Sequence, residues 1–262
     1  MKSIHVCIVS GKGGVGKTTV AINLASAIST YFKENPLLID ANLFNSHLAL
    51  YLGMYYFPYT LASLLRQNLN INDIIYKHPT GLRIIPNGIE VRKSINFSKL
   101  ERIFSNILKK EKIVIIDSPP GFSREIFQIL KPFKNFLIVS NPDWISLNDA
   151  KKIAEILRNR KKKIVGIVLN RVSNKSFEVS KEEFEKEVKA KVIGEIPESD
   201  IIKKSVHLRN PLVNLDPYNN ISLTFGEIAS FILNKNFEVE KWKKSFIEKI
   251  FERISRYFYF PK

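Results

Sequence analysis

The feature that most constrains this chain is the octet Gly11-Lys12-Gly13-Gly14-Val15-Gly16-Lys17-Thr18, set between an apolar run over 3–9 and a helical pattern over 17–32. A strand that enters a glycine-rich turn and leaves as a helix brings backbone N–H groups inward, and the helix N-terminus adds a dipole that favours anions. In that setting G-x-x-x-x-G-K-[ST] is a phosphate cradle. Lys17 supplies charge for the β- and γ-phosphates, and Thr18 a hydroxyl for Mg²⁺. The octet therefore implies ATP and magnesium as cofactors.

A P-loop of this kind needs a second carboxylate at the end of a buried strand, where it holds a metal-bound water. Ile113-Val114-Ile115-Ile116-Asp117 supplies it, and Ser118-Pro119-Pro120-Gly121 follows, with Gly121 free to let the segment follow the γ-phosphate. Further strand candidates are Pro36 to Asp40, Leu82 to Pro86, Phe136 to Ser140, Ile164 to Leu169 and Val192 to Ile196. Most are continuous apolar runs, which suits strands covered on both faces of a parallel sheet. Helical patterns fall between them at 98–110, 145–159 and 179–189. Alternating β and α predicts an α/β fold: a doubly wound, mostly parallel sheet flanked by helices. The organisation reads as one domain over 1–235 followed by a C-terminal amphipathic helix within 236–262.

Lys and Arg number 41 against 25 Asp and Glu, a formal balance of +16. Such a surface attracts polyanions, nucleic acid or acidic lipid, and composition does not choose between them. The single cysteine, Cys7, excludes an internal disulfide and any cysteine-only metal site within one chain, and its apolar neighbours make it a core residue. With no secretory signal and no uncharged apolar stretch of membrane-spanning length, the expected location is cytoplasmic.

Gly11 to Thr19 resembles the two-lysine, deviant Walker A motif of the MinD/ParA ATPases, and other segments follow in family order. Asp40 lies at the switch I position, Asp117-Ser118-Pro119-Pro120-Gly121 resembles switch II, and Asn141-Pro142-Asp143 resembles the Asn-Pro-Glu of MinD-like members. Asn170-Arg171 and Ile196-Pro197-Glu198 resemble the adenine-side elements. The resemblance runs from about residue 3 to 233 and is closest to MinD-like proteins, because the switch I pattern usual in ParA-like proteins is absent. It implies a binding set of Gly11, Lys12, Gly13, Gly14, Val15, Gly16, Lys17, Thr18, Thr19, Asn170, Arg171 and Pro197, with Thr18 and Asp117 toward the metal. It implies catalytic parts for Lys12, Lys17, Asp40 and the residue at 42, with Lys12 reaching across an ATP-sandwiched homodimer to the partner's phosphates.

One position departs from the family. Relatives carry Asp-x-Asp at switch I, and here the chain reads Asp40-Ala41-Asn42. An amide has no charge to polarise a water and cannot serve as a carboxylate base. Two readings stay open: slow or partner-dependent hydrolysis, or turnover sustained by positioning and electrostatics alone.

Residues 241–262 carry seven Lys or Arg and two Glu, and Trp242, Phe246, Ile250, Ile254 and Phe258 recur every four residues. On a helix these form one apolar face opposite a basic one, the pattern of a helix lying in a membrane interface. Packing on its own domain or on a partner are the alternatives. The combined expectation is an ATPase that dimerises with ATP, associates through 238–260 with an anionic surface at the inner face of the cell membrane, and acts as a spatial regulator with an activating protein. A ParA-like, DNA-binding positioning ATPase and a nucleotide-dependent scaffold are the rivals. Arg158 to Lys163, five bases in six residues, reads either as a solvated helix end or as a polyanion patch. The four histidines, with no metal-ligand spacing, and Trp144 read as structural.

Overall fold

The computed structural model describes residues 3–42, 47–67, 69–87, 96–121 and 123–239; the expected tail helix lies outside them. The strands are β1 (Ile4–Val9), β2 (Leu37–Asp40), β3 (Tyr76–Lys77), β4 (Arg83–Ile85), β5 (Ile113–Asp117), β6 (Asn135–Ser140), β7 (Lys163–Val172) and β8 (Val192–Pro197). The helices are α1 (Lys17–Phe32), α2 (Leu48–Tyr51), α3 (Leu61–Arg66), α4 (Phe97–Lys110), α5 (Arg124–Leu130), α6 (Trp144–Asn159), α7 (Lys181–Val188), α8 (Asp200–His207), α9 (Leu212–Leu215) and α10 (Asn220–Leu233), with a 3-10 turn at Ile71–Ile74.

The strands form one sheet in the order β3-β4-β2-β5-β1-β6-β7-β8. Every pairing is parallel except β3 with β4. The apolar runs of the central strands β2, β5 and β6 are buried on both faces, as their lack of alternation predicts, while the edge strand β8 is buried only at Val192 and Ile196. In β1, Cys7 and Val9 join the core beneath α4, α6 and α7, while Val6 and Ile8 join the core beneath α1 and α10. Phe237, beyond α10, packs on Tyr31 and Phe32 at ring separations of 5.0 and 5.7 Å.

Strand expectations hold to within a residue or so except at β7, which runs three residues beyond the expected end at Leu169, and the helix expected at 179–189 is the shorter α7. Elements without a legible period account for the rest. The four-residue α2 and α9 and the two-residue β3 are too short to repeat. Helix α10 is apolar nearly all round, because it lies between α1 and β8. Parallelism has a functional consequence: the C-terminal ends of β1, β2, β5 and β7 share one edge, on either side of the point where the chain, after β5, crosses β1 to continue on its other side.

Candidate functional site

The glycine loop joins β1 to α1 at that edge. Gly16 holds φ 96°, a left-handed conformation that L side chains rarely adopt. A Cβ there would also stand 2.2 Å from Asn170 Nδ2, which donates to the Val15 carbonyl at 2.7 Å. On the other flank a Cβ at Gly11 would stand 2.3 Å from the Asp149 Cβ of α6. The end of β7 and the side of α6 thus hold the loop from both sides. Helix α1 begins without a side-chain cap, which leaves its first N–H groups for an anion.

Lys17 is only 7% exposed, and its Nζ donates to Ser10 Oγ at 2.7 Å; Ser10 Oγ in turn donates to the Lys12 carbonyl at 2.7 Å. Burial pulls the Lys17 ammonium below its ordinary pKa, and the Asp117 charge opposes that fall. Beside it Thr18 Oγ1 donates to Asp117 Oδ2 at 2.7 Å. Burial raises the Asp117 pKa to about 6, against the opposing pull of the Thr18 hydrogen bond, Lys17 and His47. Its other oxygen, Oδ1, is buried with no hydrogen-bond partner among the described residues. A hydroxyl and an unpaired carboxylate oxygen are hard oxygen donors that fit magnesium, and the buried ammonium beside them fits the phosphate group held with it.

The neighbouring strand end is fixed by its backbone. Asp40, fully buried, accepts from the Asn42 N–H at 2.9 Å through Oδ1, and the Asn42 carbonyl accepts from Asn87 Nδ2 at 2.8 Å. The segment after β5 is anchored to β1 by Ser118 N–H on the Ile8 carbonyl (3.3 Å) and by Gly121 N–H on the Ser10 carbonyl (3.0 Å). Between these segments lies a cleft of about 500 Å³ lined by Gly13, Gly14, Gly16, Lys17, Thr18, Thr19, Asn42 and Arg171.

The other expected residues divide. Arg171, at φ 60°, enters the cleft wall, with Nε 3.6 Å from Glu198 Oε2. Asn170 lies beneath the loop and spends an amide proton on Val15. Pro197 ends β8 opposite Val172, outside the lining residues. Lys12 Nζ is 4.0 Å from Asp143 Oδ1, which caps α6 by accepting from the Ser146 N–H at 2.8 Å. Two sequence readings are corrected. His47, taken as structural, lines the cleft together with Tyr51, and no spacing pointed to either. Trp144, taken as packing, is 60% exposed, and Ile145 beside it is 68% exposed.

A glycine loop between the first strand and first helix of a doubly wound sheet, with a buried carboxylate one strand away, defines a P-loop nucleotide-binding protein. Residues 6–212 match the CobQ/CobB/MinD/ParA nucleotide binding domain, and the chain belongs to that family. It is 34% identical over 258 residues to an uncharacterized ATP-binding protein of Methanocaldococcus jannaschii, covering 97% of each chain. The cell division ATPase MinD of Pyrococcus furiosus superposes with a TM-score of 0.82 at 27% identity, over 88% of this chain and 99% of that one. The septum site-determining protein MinD of Pyrococcus horikoshii, complexed with Mg-ADP, gives 0.81 at 26% identity, over 88% and 95%. Members of the family are ATPases, and ATP with Mg²⁺ is their ligand pair.

Proposed function

We propose that this chain is an ATP-driven spatial switch. It binds ATP with magnesium, pairs with a second copy of itself, and holds to an anionic membrane surface until hydrolysis releases it. The observation that carries the nucleotide part is the unpaired Asp117 Oδ1 beside the Thr18 hydroxyl, at the foot of a cleft that also holds the buried Lys17 ammonium. Thr18 and Asp117 hold the metal side, and Lys17 neutralises the terminal phosphates. Magnesium, when bound, supplies positive charge for those phosphates. Arg171, with Asn170 and Pro197 behind it, forms the adenine side.

Lys12 serves the partner's nucleotide. Its ammonium is about two-fifths exposed and rests on Asp143 at a distance that holds it weakly. Trp144 and Ile145 beside it are large apolar side chains open to solvent, of the type that anchors protein interfaces. Asp40 fixes the backbone at Asn42, and the Asn42 amide orients water without accepting its proton. Turnover is accordingly slow until an activating protein adds what is missing.

Membrane association rests on the basic, aromatic sequence of 238–260, and it places the protein in the cytoplasm at the inner face of the membrane. Two tails on one dimer gain avidity that a single tail lacks. The test is co-sedimentation with phosphatidylglycerol-containing liposomes, in ATP and in ADP, for the full chain and for a chain ending at 237, beside a duplex-DNA binding assay. Full-length protein sediments with ATP and not with ADP, and the shortened chain stays in solution. Equal sedimentation in both nucleotides, or ATP-dependent binding of DNA alone, overturns the reading.

A further inference from the structure

At the edge opposite the nucleotide cleft the parallel strands begin, and a lysine stands at or just before the starts of β5, β6, β7 and β8. Lys112 precedes β5, and its carbonyl accepts from Ile4 of β1 at 2.8 Å; Lys134 precedes β6, and its carbonyl accepts from the N–H of Lys163, the first residue of β7, at 2.9 Å. Lys191 precedes β8, and its carbonyl accepts from Ile167 of β7 at 2.8 Å. The sheet order β5-β1-β6-β7-β8 spreads these lysines over about 19 Å across the strands, from the usual strand spacing, and the register staggers them along the strands: Lys163 is level with Asn135, while Lys191 meets β7 at Ile167. All four are exposed, and so is Lys161 beside them. Glu34 accepts from Lys112 at 3.0 Å and from Lys235 at 2.7 Å, while Lys134, Lys161 and Lys163 have no carboxylate partner among the described residues.

Two further observations bear on what meets this row. A groove of about 970 Å³ opens on the same edge, between the starts of β1, β6 and β7 and the end of α10, with Ile4, Val165 and the 45% exposed Phe231 in its lining. Lys191 Nζ stands 5.5 Å from the Phe231 ring. The described chain also ends here: Lys235 is held by Glu34, Phe237 by α1, and the basic, aromatic sequence from Lys241 follows.

We propose that this lysine row and the Phe231 groove form a second membrane contact, which binds anionic phospholipid headgroups alongside the tail and turns the nucleotide edge away from the bilayer. The inference rests on the membrane reading given above. Lipid is favoured over nucleic acid because an exposed phenylalanine in a groove, and the aromatic sequence that follows the described residues, gain from an acyl boundary and not from a sugar-phosphate backbone. Each lysine near an anionic surface contributes about 1 kcal/mol, so one weak anchor becomes two that act together.

The test uses the full chain with ATP and vesicles of phosphatidylglycerol in phosphatidylcholine. Lys134→Gln, Lys163→Gln and Lys191→Gln combined should lower the partition coefficient by on the order of a hundredfold, with ATP affinity unchanged. A control removes the same charge elsewhere through Lys152→Gln, Lys175→Gln and Lys204→Gln, all exposed and away from this edge, and should change little. Phe231→Ser adds a smaller loss of its own. If the row and control variants lose binding equally, or the row variants lose duplex-DNA binding while vesicle binding stands, the second contact is refuted and the tail reading survives. If the wild-type chain ignores anionic vesicles with ATP bound, both readings fall.

Discussion

Thr18 and Asp117, ninety-nine residues apart, meet at the foot of the cleft: Thr18 Oγ1 donates to Asp117 Oδ2 at 2.7 Å, and Asp117 Oδ1 has no hydrogen-bond partner among the described residues. A buried carboxylate with half its capacity unused costs stability, and a cation can restore what folding spends there.

The first prediction follows from that cost. Burial lifts the Asp117 pKa from the ordinary 3.8 to about 6, so between those values the folded protein binds more protons than the unfolded chain. Stability of the nucleotide-free protein therefore falls as pH rises through that window and stays lower above it. Asp117→Asn removes the charge, so the variant without nucleotide should be the more stable at pH 7, by on the order of 1–3 kcal/mol. The advantage should shrink toward pH 4, and Mg-ATP should no longer raise the variant's Tm. Thermal melts across pH, with and without Mg-ATP, check all three outcomes.

Gly16→Ala should both destabilise the fold and abolish ATP binding. It places a side chain at φ 96° and a Cβ 2.2 Å from Asn170 Nδ2. The backbone strain alone costs on the order of 1–3 kcal/mol. Combining it with Asn170→Ala removes the clash but leaves the strain, so the double variant should recover only part of the stability in chemical denaturation. Full recovery would mean that the loop conformation is not the constraint.

Asn42→Asp tests the departure at switch I. The loop at 42 is held by its own backbone, through the bonds to Asp40 and Asn87, so the exchange should leave the melting temperature nearly unchanged. Restoring a carboxylate should raise ATP turnover by on the order of a hundredfold, the lower end for a positioned base. Equal phosphate release from the two proteins would show that the amide is no handicap.

Lys12→Ala separates the nucleotide site from the dimer. The Lys12–Asp143 pair is exposed and 4.0 Å apart, so its loss should change stability by no more than about 0.5 kcal/mol. Calorimetry should find ATP binding by the monomer retained, while light scattering finds the ATP-dependent dimer absent. Asp143→Ala differs in kind, because it removes the α6 cap at a cost of about 1 kcal/mol.

Contiguous residues carried most of what was legible before the fold. Strand, glycine loop and helix follow one another at residues 4–32, and backbone conformation plus the Lys17-Thr18 pair is enough to define a phosphate site. Asp117 announced itself by ending an apolar run, and the runs announced a sheet covered on both faces. Asn42 was visible as a departure because its neighbour Asp40 marks the position. His47 and Tyr51 were not visible: they border a four-residue helix with no period, and only the return of that segment over the P-loop brings them to the cleft. Trp144 misled because an aromatic at a helix start is usually covered, and nothing local says that α6 leaves it open.

By itself the sequence determined the phosphate chemistry, the strand-and-helix alternation and a surplus of positive charge, since each is written in neighbouring residues. Tertiary structure alone decided that Asn170 would brace Val15 and that Lys112, Lys134, Lys163 and Lys191 would form a row. Those residues are separated by dozens of positions and become neighbours only because the sheet interleaves its strands, with β1 between β5 and β6. Strand order is a property of packing, and no local period encodes it.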